Sequence, residues 1–421
     1  MKKKYYITTP IYYPSAKPHM GHAYSSIVAD FFARFKRIDG FNVHFLTGTD
    51  EHGLKIQRAA EKRSVDPQTF CDEISQTFRD LSKTLNLSNT DFIRTTEERH
   101  KKTVQHLWNE LEKNDDIYLS KYSGWYSVSD EAFYSDEEIT EKENIKIATA
   151  SGSPVEWIEE ESYFFRLSKW QDELLNYYEK NPEFISPRSR KNEVISFVKG
   201  GLKDLSISRK AFSWGIKVPN SPDHVIYVWL DALTNYISAL NYPDTNDALF
   251  KKFWPASVHL IGKDILRFHS VYWPAFLMAA KIPLPKKVYG HGWILSGDEK
   301  MSKSKGNILD PLDIIEIYGL DPLRYYLIKE VSFGNDGNIS QDRLEDCINS
   351  DLANNYGNLC QRVTAFAEKN CSSLVPDNKK FNHQDLVMLN KFTDNLTAIR
   401  TEIDNQNINY YINFIVSALF E

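Results

Sequence analysis

Tyr-Tyr-Ile-Thr-Thr-Pro-Ile-Tyr-Tyr-Pro-Ser-Ala-Lys-Pro-His-Met-Gly-His (5–22) is the stretch on which the reading of the whole chain turns. Its first five residues are β-prone, Pro10, Pro14, Ser15 and Pro18 then impose a turn, and Ile27, Val28, Phe31, Phe32 and Phe35 follow at helical spacing. A strand at 5–9 therefore feeds a helix at about 20–37, and His19 and His22 sit at the helix start. There the unpaired backbone N–H groups and the positive end of the helix dipole favour an anion, and Gly21 omits a side chain that would hold a nucleotide away. Two histidines at a helix end also fit plain capping or packing, so the tetrapeptide alone leaves both readings open.

A second peptide narrows them. Val-Tyr-Gly-His-Gly-Trp-Ile-Leu (288–295) reads as an apolar strand that runs through Ser-Gly-Asp-Glu into Lys-Met-Ser-Lys-Ser (300–304) and Lys-Gly-Asn (305–307). Taken alone, a lysine-serine loop is an ordinary solvated loop. Behind His19 to His22 it is a lid able to bring Lys300 and Lys303, with Ser302 between them, to the β- and γ-phosphates of a nucleotide. The pair, in this order, looks like the ATP-handling signatures of a class I aminoacyl-tRNA synthetase. The chemistry asks for such groups: attack of a carboxylate on the α-phosphate of ATP spreads negative charge over oxygens, and the barrier falls through positioning and donors placed where that charge develops.

The chain has 421 residues, a length that suggests about three domains. Hydrophobic content of 42% with 26% charged residues is ordinary for a globular protein, and no window reaches the length of a membrane span. The start Met-Lys-Lys-Lys leads into a strand rather than an apolar run, so a cytoplasmic location is expected. Cys71, Cys347, Cys360 and Cys371 are scattered without a Cys-x-x-Cys pair, which predicts free thiols and no metal site built on cysteine. The net charge of −6 is polarised: residues 130–161 hold 11 acidic and 2 basic side chains, residues 188–217 hold 8 basic and 2 acidic. With Phe197, Phe212 and Trp214 interleaved, the basic stretch fits either a nucleic-acid contact or a solvated surface over core aromatics.

Strand and helix patterns alternate through the first hundred residues, with a second strand at 42–47 and a helix beginning near Gly53. The loop Thr-Gly-Thr-Asp-Glu-His-Gly (47–53) lies at the carboxyl end of that strand, where open α/β sheets hold ligands. After about Tyr118 the pattern changes to short strands and acidic turns, and strand-like runs resume at Val-Ile-Tyr-Val-Trp-Leu (225–230) and Val-His-Leu-Ile-Gly (258–262). Beyond about Gln341 the character is helical. The expected fold is α/β: a Rossmann-like parallel-sheet catalytic domain (1–117 and 225–295) split by an inserted α+β connective domain (118–224), then the lysine-serine loop with a following segment (296–340) and the start of an all-α helical bundle (341–421).

At this point the match becomes specific. Beyond the two signatures, Thr-Thr-Pro-Ile-Tyr-Tyr (8–13), Thr-Gly-Thr-Asp-Glu-His-Gly (47–53), Tyr-Val-Trp-Leu-Asp-Ala (227–232), Ile-Gly-Lys-Asp (261–264) and Phe-His-Ser-Val-Tyr-Trp-Pro (268–274) resemble methionyl-tRNA synthetases, and the resemblance runs from Tyr5 to near the end. It implies a methionine pocket of Ile11, Tyr13, Trp229, Ala232, Tyr236, Phe268, His269 and Trp273, with Asp50 on the α-ammonium group. It also implies Gly262 and Asp264 near the adenosine ribose, His19, Gly21, His22, Lys300, Ser302 and Lys303 on the phosphates of ATP with Mg2+, and tRNA(Met) as the acyl acceptor. A carboxylate pairing a cation beside aromatic walls that desolvate a thioether makes physical sense of the amino-acid site. On residue type alone, the aromatics fit core packing and Asp50 fits a helix-capping carboxylate.

Many members of the family carry a cysteine-rich zinc knuckle in the insertion. Here Ser127 and Asp130 stand at the Cys-x-x-Cys spacing and Ala-Ser-Gly-Ser-Pro-Val-Glu-Trp (150–157) lacks cysteine, so no structural zinc is expected. Asn358 and Arg362 have the Asn-x-x-x-Arg spacing of the family's anticodon-reading helix, which puts both on one helix face. No match to the family's further helices precedes Glu421, so a C-terminally truncated chain, incomplete in its anticodon-binding bundle and monomeric, is expected. The rival readings are a class I synthetase for another apolar amino acid and a synthetase-like RNA-binding protein without catalysis.

Overall fold

The structure is a computed structural model that describes residues 3–130, 132–142, 145–296, 299–300, 310–375 and 380–420. The opening stretch folds as its pattern predicts. Lys4–Thr8 is a strand buried along four of its five residues, and a helix runs from Met20 to Ile38. Lys4–Thr8 pairs in parallel with Asn42–Thr49 on one side and with Val258–Gly262 on the other. Asp91–Arg94 adds in parallel outside Asn42–Thr49, and Val288–His291 follows Val258–Gly262, giving a six-stranded sheet. Strands buried on both faces read as near-continuous apolar runs, which is why these segments were visible in the sequence.

The sixth strand of that sheet, Ile185–Ser186, pairs in parallel with Val288–His291 and comes from inside the expected insertion. The rest of 118–224 carries its own antiparallel sheet, in the order Leu205–Ser206, Glu156–Phe165, Ile117–Ser127, Ala132–Tyr134, with helices Gln171–Lys180 and Arg188–Lys199 after it. The run 225–230 departs from expectation. Ser221–Ile226 is a strand of a separate antiparallel sheet, and the chain turns at Tyr227 into a helix, Val228–Leu233. A six-residue apolar run has the same composition in a buried strand and in a buried helical turn, so periodicity could not separate them.

The chain divides into two compact units, residues 1–18 with 29–290, and residues 19–28 with 291–421. In the first, one core gathers Trp108, Phe165, Tyr178, Val228, Leu230, Tyr236, Trp273 and Phe276, all nearly or fully inaccessible to solvent. In the second, Ile294–Ser296 pairs with Glu299–Lys300 and with Gly337–Asn338, and helices Pro311–Tyr318, Leu320–Glu330, Gln341–Cys347, Asn358–Cys371, His383–Asp404 and Ile408–Phe420 follow. The predicted single strand at 288–295 is thus two short ones broken at Gly292 and Trp293. Among the described residues no helix is long and apolar enough to cross a membrane.

Candidate functional site

His19 directly precedes the helix Met20–Ile38, and His22 lies in its first turn. Each ring caps the helix: the Gly21 N–H donates to His19 Nδ1 at 3.1 Å, and the His19 N–H donates to His22 Nδ1 at 3.1 Å. A backbone N–H can only donate, so both Nδ1 atoms are unprotonated and the proton of each neutral ring sits on Nε2. The rings lie 3.8 Å apart, and burial together with His19 pushes the pKa of His22 well below the ordinary imidazole value. The capping and phosphate readings of these histidines are therefore compatible, since the nitrogen that caps is not the one that carries a donor hydrogen. A Cβ at Gly21 would stand 3.0 Å from His19 Cε1, tight enough to displace the ring. In the same unit, Ser25 Oγ lies 2.9 Å from His291 Nε2, tying the first turns of this helix to the strand that leads towards Lys300.

The aromatic residues come together in the first unit. Trp229 and Phe268 stack with centroids 3.7 Å apart and planes 6° from parallel, and His269 stands edge-on to Trp229 at 6.2 Å. Tyr236 reaches both His269 and Trp273, at 5.7 and 6.1 Å between ring centroids. His269 Nδ1 is 3.0 Å from the Ile265 carbonyl, which can only accept, so Nδ1 carries the proton and Nε2 accepts from Tyr236 Oη at 2.7 Å. Burial lowers the His269 pKa to about 4, so the ring is neutral near pH 7. Ala232 and Trp273 are buried, and Ile11, Tyr13, Trp229 and Phe268 are partly buried against the same core. An apolar wall with one neutral polar pair is suited to an uncharged, largely apolar side chain.

Asp50 closes the strand Asn42–Thr49, is buried, and donates its N–H to the Tyr12 carbonyl at 2.9 Å. The loop around it is stiffly held. Glu51 takes Arg94 Nε and Nη2 at 2.7 and 2.9 Å and the Thr96 hydroxyl at 2.6 Å, while the Glu51 carbonyl accepts from Trp214 Nε1 at 2.6 Å. Tyr13 Oη donates to the His52 carbonyl at 2.6 Å. Two acidic neighbours thus have separate positions, with Glu51 neutralised by an internal arginine.

Gly262 ends the strand Val258–Gly262, and Asp264 folds back so that a Cβ on Gly262 would stand 2.6 Å from Asp264 Oδ1. Glycine here lets the carboxylate lie over the strand end. Lys300 closes the short strand Glu299–Lys300, but its side chain, Ser302 and Lys303 lie outside the described residues.

The family described as tRNA synthetases class I (M) matches residues 5–153 and 140–364. A methionine–tRNA ligase of Rickettsia felis is 58% identical over 376 residues, covering 89% of this chain and 72% of that protein, and one of Brucella suis is 51% identical over 420 residues, covering 100% and 81%. The chain belongs to the methionyl-tRNA synthetase family of class I. The solved structure of Mycobacterium tuberculosis methionyl-tRNA synthetase in complex with methionyl-adenylate superposes with a TM-score of 0.97 at 48% identity, over 99% of this chain and 82% of that one.

In the insertion, Asp130 is the centre of a hydrogen-bonded turn. Asp130 accepts from Tyr134 Oη at 2.7 Å, from Ser153 Oγ at 2.7 Å and from Ser151 Oγ, and its N–H donates to Ser127 Oγ at 3.3 Å. Among the described residues no group of three or more His, Cys, Asp or Glu could hold a metal ion. Of the basic residues in 188–217 only Arg209 is buried, against Phe133, Tyr126 and Tyr227; Lys210 pairs with Glu161 and Asp223 at the surface, Arg188, Lys199 and Lys203 are exposed, Phe212 is buried and Trp214 donates to the Glu51 carbonyl. This favours the core-aromatic reading of Phe212 and Trp214 over stacking on bases. Asn358 and Arg362 lie one turn apart on the helix Asn358–Cys371, where Arg362 is exposed and the Asn358 amide donates to the Asn354 carbonyl at 2.9 Å.

Sequence reasoning missed one buried cluster. His52 and His100 both reach the carboxylate of Asp231. His52 and Asp231 lie in two segments that carried the family resemblance, yet neither had been given a role, and nothing in the sequence marked His100.

Proposed function

We propose that this chain activates methionine with MgATP to methionyl-adenylate and pyrophosphate and then transfers methionine to the 3′-terminal adenosine of tRNA(Met). The methionine–tRNA ligase activity follows from the family; the assignment of roles to residues is our own reading. The observation that carries it is the neutral His269–Tyr236 pair set in the Trp229, Phe268 and Trp273 wall. That wall suits a thioether, which offers a polarisable, weakly accepting sulfur and no charge.

In this reading Asp50 binds the α-ammonium group and the aromatic wall takes the side chain, and the methionine carboxylate is the group that attacks the α-phosphate. His19 and His22 donate from Nε2 to the phosphate oxygens as charge builds, and the helix N-terminus adds its dipole. Asp264 takes the ribose. Lys300, Ser302 and Lys303 are assigned to the leaving pyrophosphate on sequence grounds, and Mg2+ enters with the nucleotide. For the transfer step we assign no protein base. Asn358 and Arg362 are assigned to the anticodon. The domain boundaries proposed from the sequence, a monomeric state and a cytoplasmic location complete the reading; four free cysteines suit a reducing compartment.

Charging of a tRNA transcript with a methionine anticodon by labelled methionine tests the whole reaction. Methionyl-tRNA formed on that transcript, and not on one with an altered anticodon, is the expected result. Charging with another apolar amino acid would contradict the pocket assignment.

A further inference from the structure

Asp231 sits in the helix Val228–Leu233, between the two pocket residues Trp229 and Ala232, and is fully buried. His52 Nδ1 lies 2.6 Å from its Oδ2 and His100 Nε2 lies 2.7 Å from its Oδ1. An ionised carboxylate only accepts, so His52 carries a proton on Nδ1 and His100 on Nε2. His100 Nδ1 meets the Ser238 hydroxyl at 2.8 Å, which completes its pairing. Burial by itself would raise the Asp231 pKa, but the charge of His52 and the hydrogen bonds from both imidazoles bring it down to about 2.

The three residues come from three places in the chain. His52 follows Asp50 by two residues, and its carbonyl accepts from Tyr13. His100 stands on the helix Glu98–Lys113, which packs in the core beneath. Asp231 belongs to the helix that carries Trp229.

We propose that Asp231 is a positioning residue for amino-acid selection: by gripping His52 it fixes the separation between the Asp50 loop and the Trp229 helix, and by gripping His100 it anchors the Trp229 helix to Glu98–Lys113 beneath, so that one substrate must span a set distance. The proposal rests on the reading of Asp50 and Trp229 as the ammonium and side-chain ends of the methionine site. Its effect is exerted through those two groups. A buried carboxylate makes a firm clamp because either imidazole, once lost, leaves a charged oxygen without a donor in a place that water does not reach.

Matched substitutions test it. An asparagine amide reaches the place of an imidazole Nδ1 and a glutamine amide that of Nε2, so His52→Asn and His100→Gln keep the donor to Asp231, whereas His52→Gln and His100→Asn remove it. In methionine-dependent pyrophosphate exchange, the donor-keeping pair should stay near the wild-type KM for methionine. The donor-losing pair should raise it about tenfold or more, the factor that corresponds to about 1.4 kcal/mol, with the KM for ATP little changed.

Opposite preferences at the two histidines are what a packing role would not produce. Asp231→Asn, which keeps the shape but can no longer accept on both sides, should behave like the donor-losing pair and provides a second route if a histidine variant fails to fold. A methionine KM that rises alike in all four histidine variants, that follows the loss of thermal stability, or that rises together with the KM for ATP overturns the proposal. Absence of methionine-driven exchange in the wild-type protein would instead contradict the activation reading itself.

Discussion

Tyr236 Oη donates to His269 Nε2 at 2.7 Å, and His269 in turn donates from Nδ1 to the Ile265 carbonyl at 3.0 Å. The relay fixes a neutral imidazole in an apolar wall. Tyr236→Phe leaves a buried acceptor without its donor, a loss of about 1–3 kcal/mol. It should raise the KM for methionine while leaving the KM for ATP near wild type, as measured by pyrophosphate exchange.

The same residue makes a pH prediction. His269 titrates near 4 in the folded protein, against 6.5 for an exposed imidazole, because burial disfavours the charged form. Between those values the unfolded chain binds the extra proton, so this contribution is complete above about pH 6.5 and is lost as pH falls towards 4. A shift of that size corresponds to on the order of 3 kcal/mol. Other histidines, among them His44, His259 and His22, are shifted in the same direction, so the comparison must be differential. Denaturant unfolding of wild type and His269→Gln across pH 4–7 should show a shallower loss of stability in the variant.

His19→Asn and His22→Asn separate capping from catalysis. The asparagine oxygen can accept the backbone N–H that each Nδ1 now accepts, but nothing replaces the Nε2 donor. The melting temperature should hold, the KM for methionine should change little, and kcat of adenylate formation should fall by about 10²–10³-fold, the usual cost of losing a donor to developing oxyanion charge. An unchanged kcat would return both residues to a capping role.

Gly262→Ala would place a methyl 2.6 Å from Asp264 Oδ1 and force the carboxylate off the strand end. If Asp264 serves the ribose, the KM for ATP rises and that for methionine does not. Equal rises in both would mean that the strand end, rather than the carboxylate, is what the methyl disturbs.

A chelator such as 1,10-phenanthroline should leave melting temperature and activity unchanged, because the segment around Asp130 is held by its carboxylate and three hydroxyl donors. Asp130→Ala should lower stability by about 1–2 kcal/mol, the net worth of the hydrogen bonds it removes. A chelator-sensitive protein would reveal a metal that this hydrogen-bonded arrangement does not call for.

The contrast between what the sequence announced and what it hid has a physical pattern. The strand 5–9, the helix after His19 and the strand 258–262 were legible because a parallel sheet buries whole runs of residues, and Asp50 because a loop at a strand's carboxyl end is a ligand position in such sheets. Ile185–Ser186 was invisible because two residues carry no periodicity. Val225 to Leu230 was misread because its first two residues end a strand and its last three begin a helix. The Asp231 cluster joins residues 179 and 131 positions apart, through chemistry that no local pattern encodes. Asp130 was recognised only as a missing cysteine, and its role as the centre of a hydrogen-bonded turn needed the structure.

Pyrophosphate exchange into ATP, run with each of the twenty amino acids in turn and without tRNA, bears most directly on the claim that this pocket selects methionine. Exchange driven by methionine, abolished or strongly weakened by Asp50→Ala, is the predicted result. Exchange driven as well by leucine, isoleucine or valine, or methionine-driven exchange that Asp50→Ala leaves intact, would contradict it.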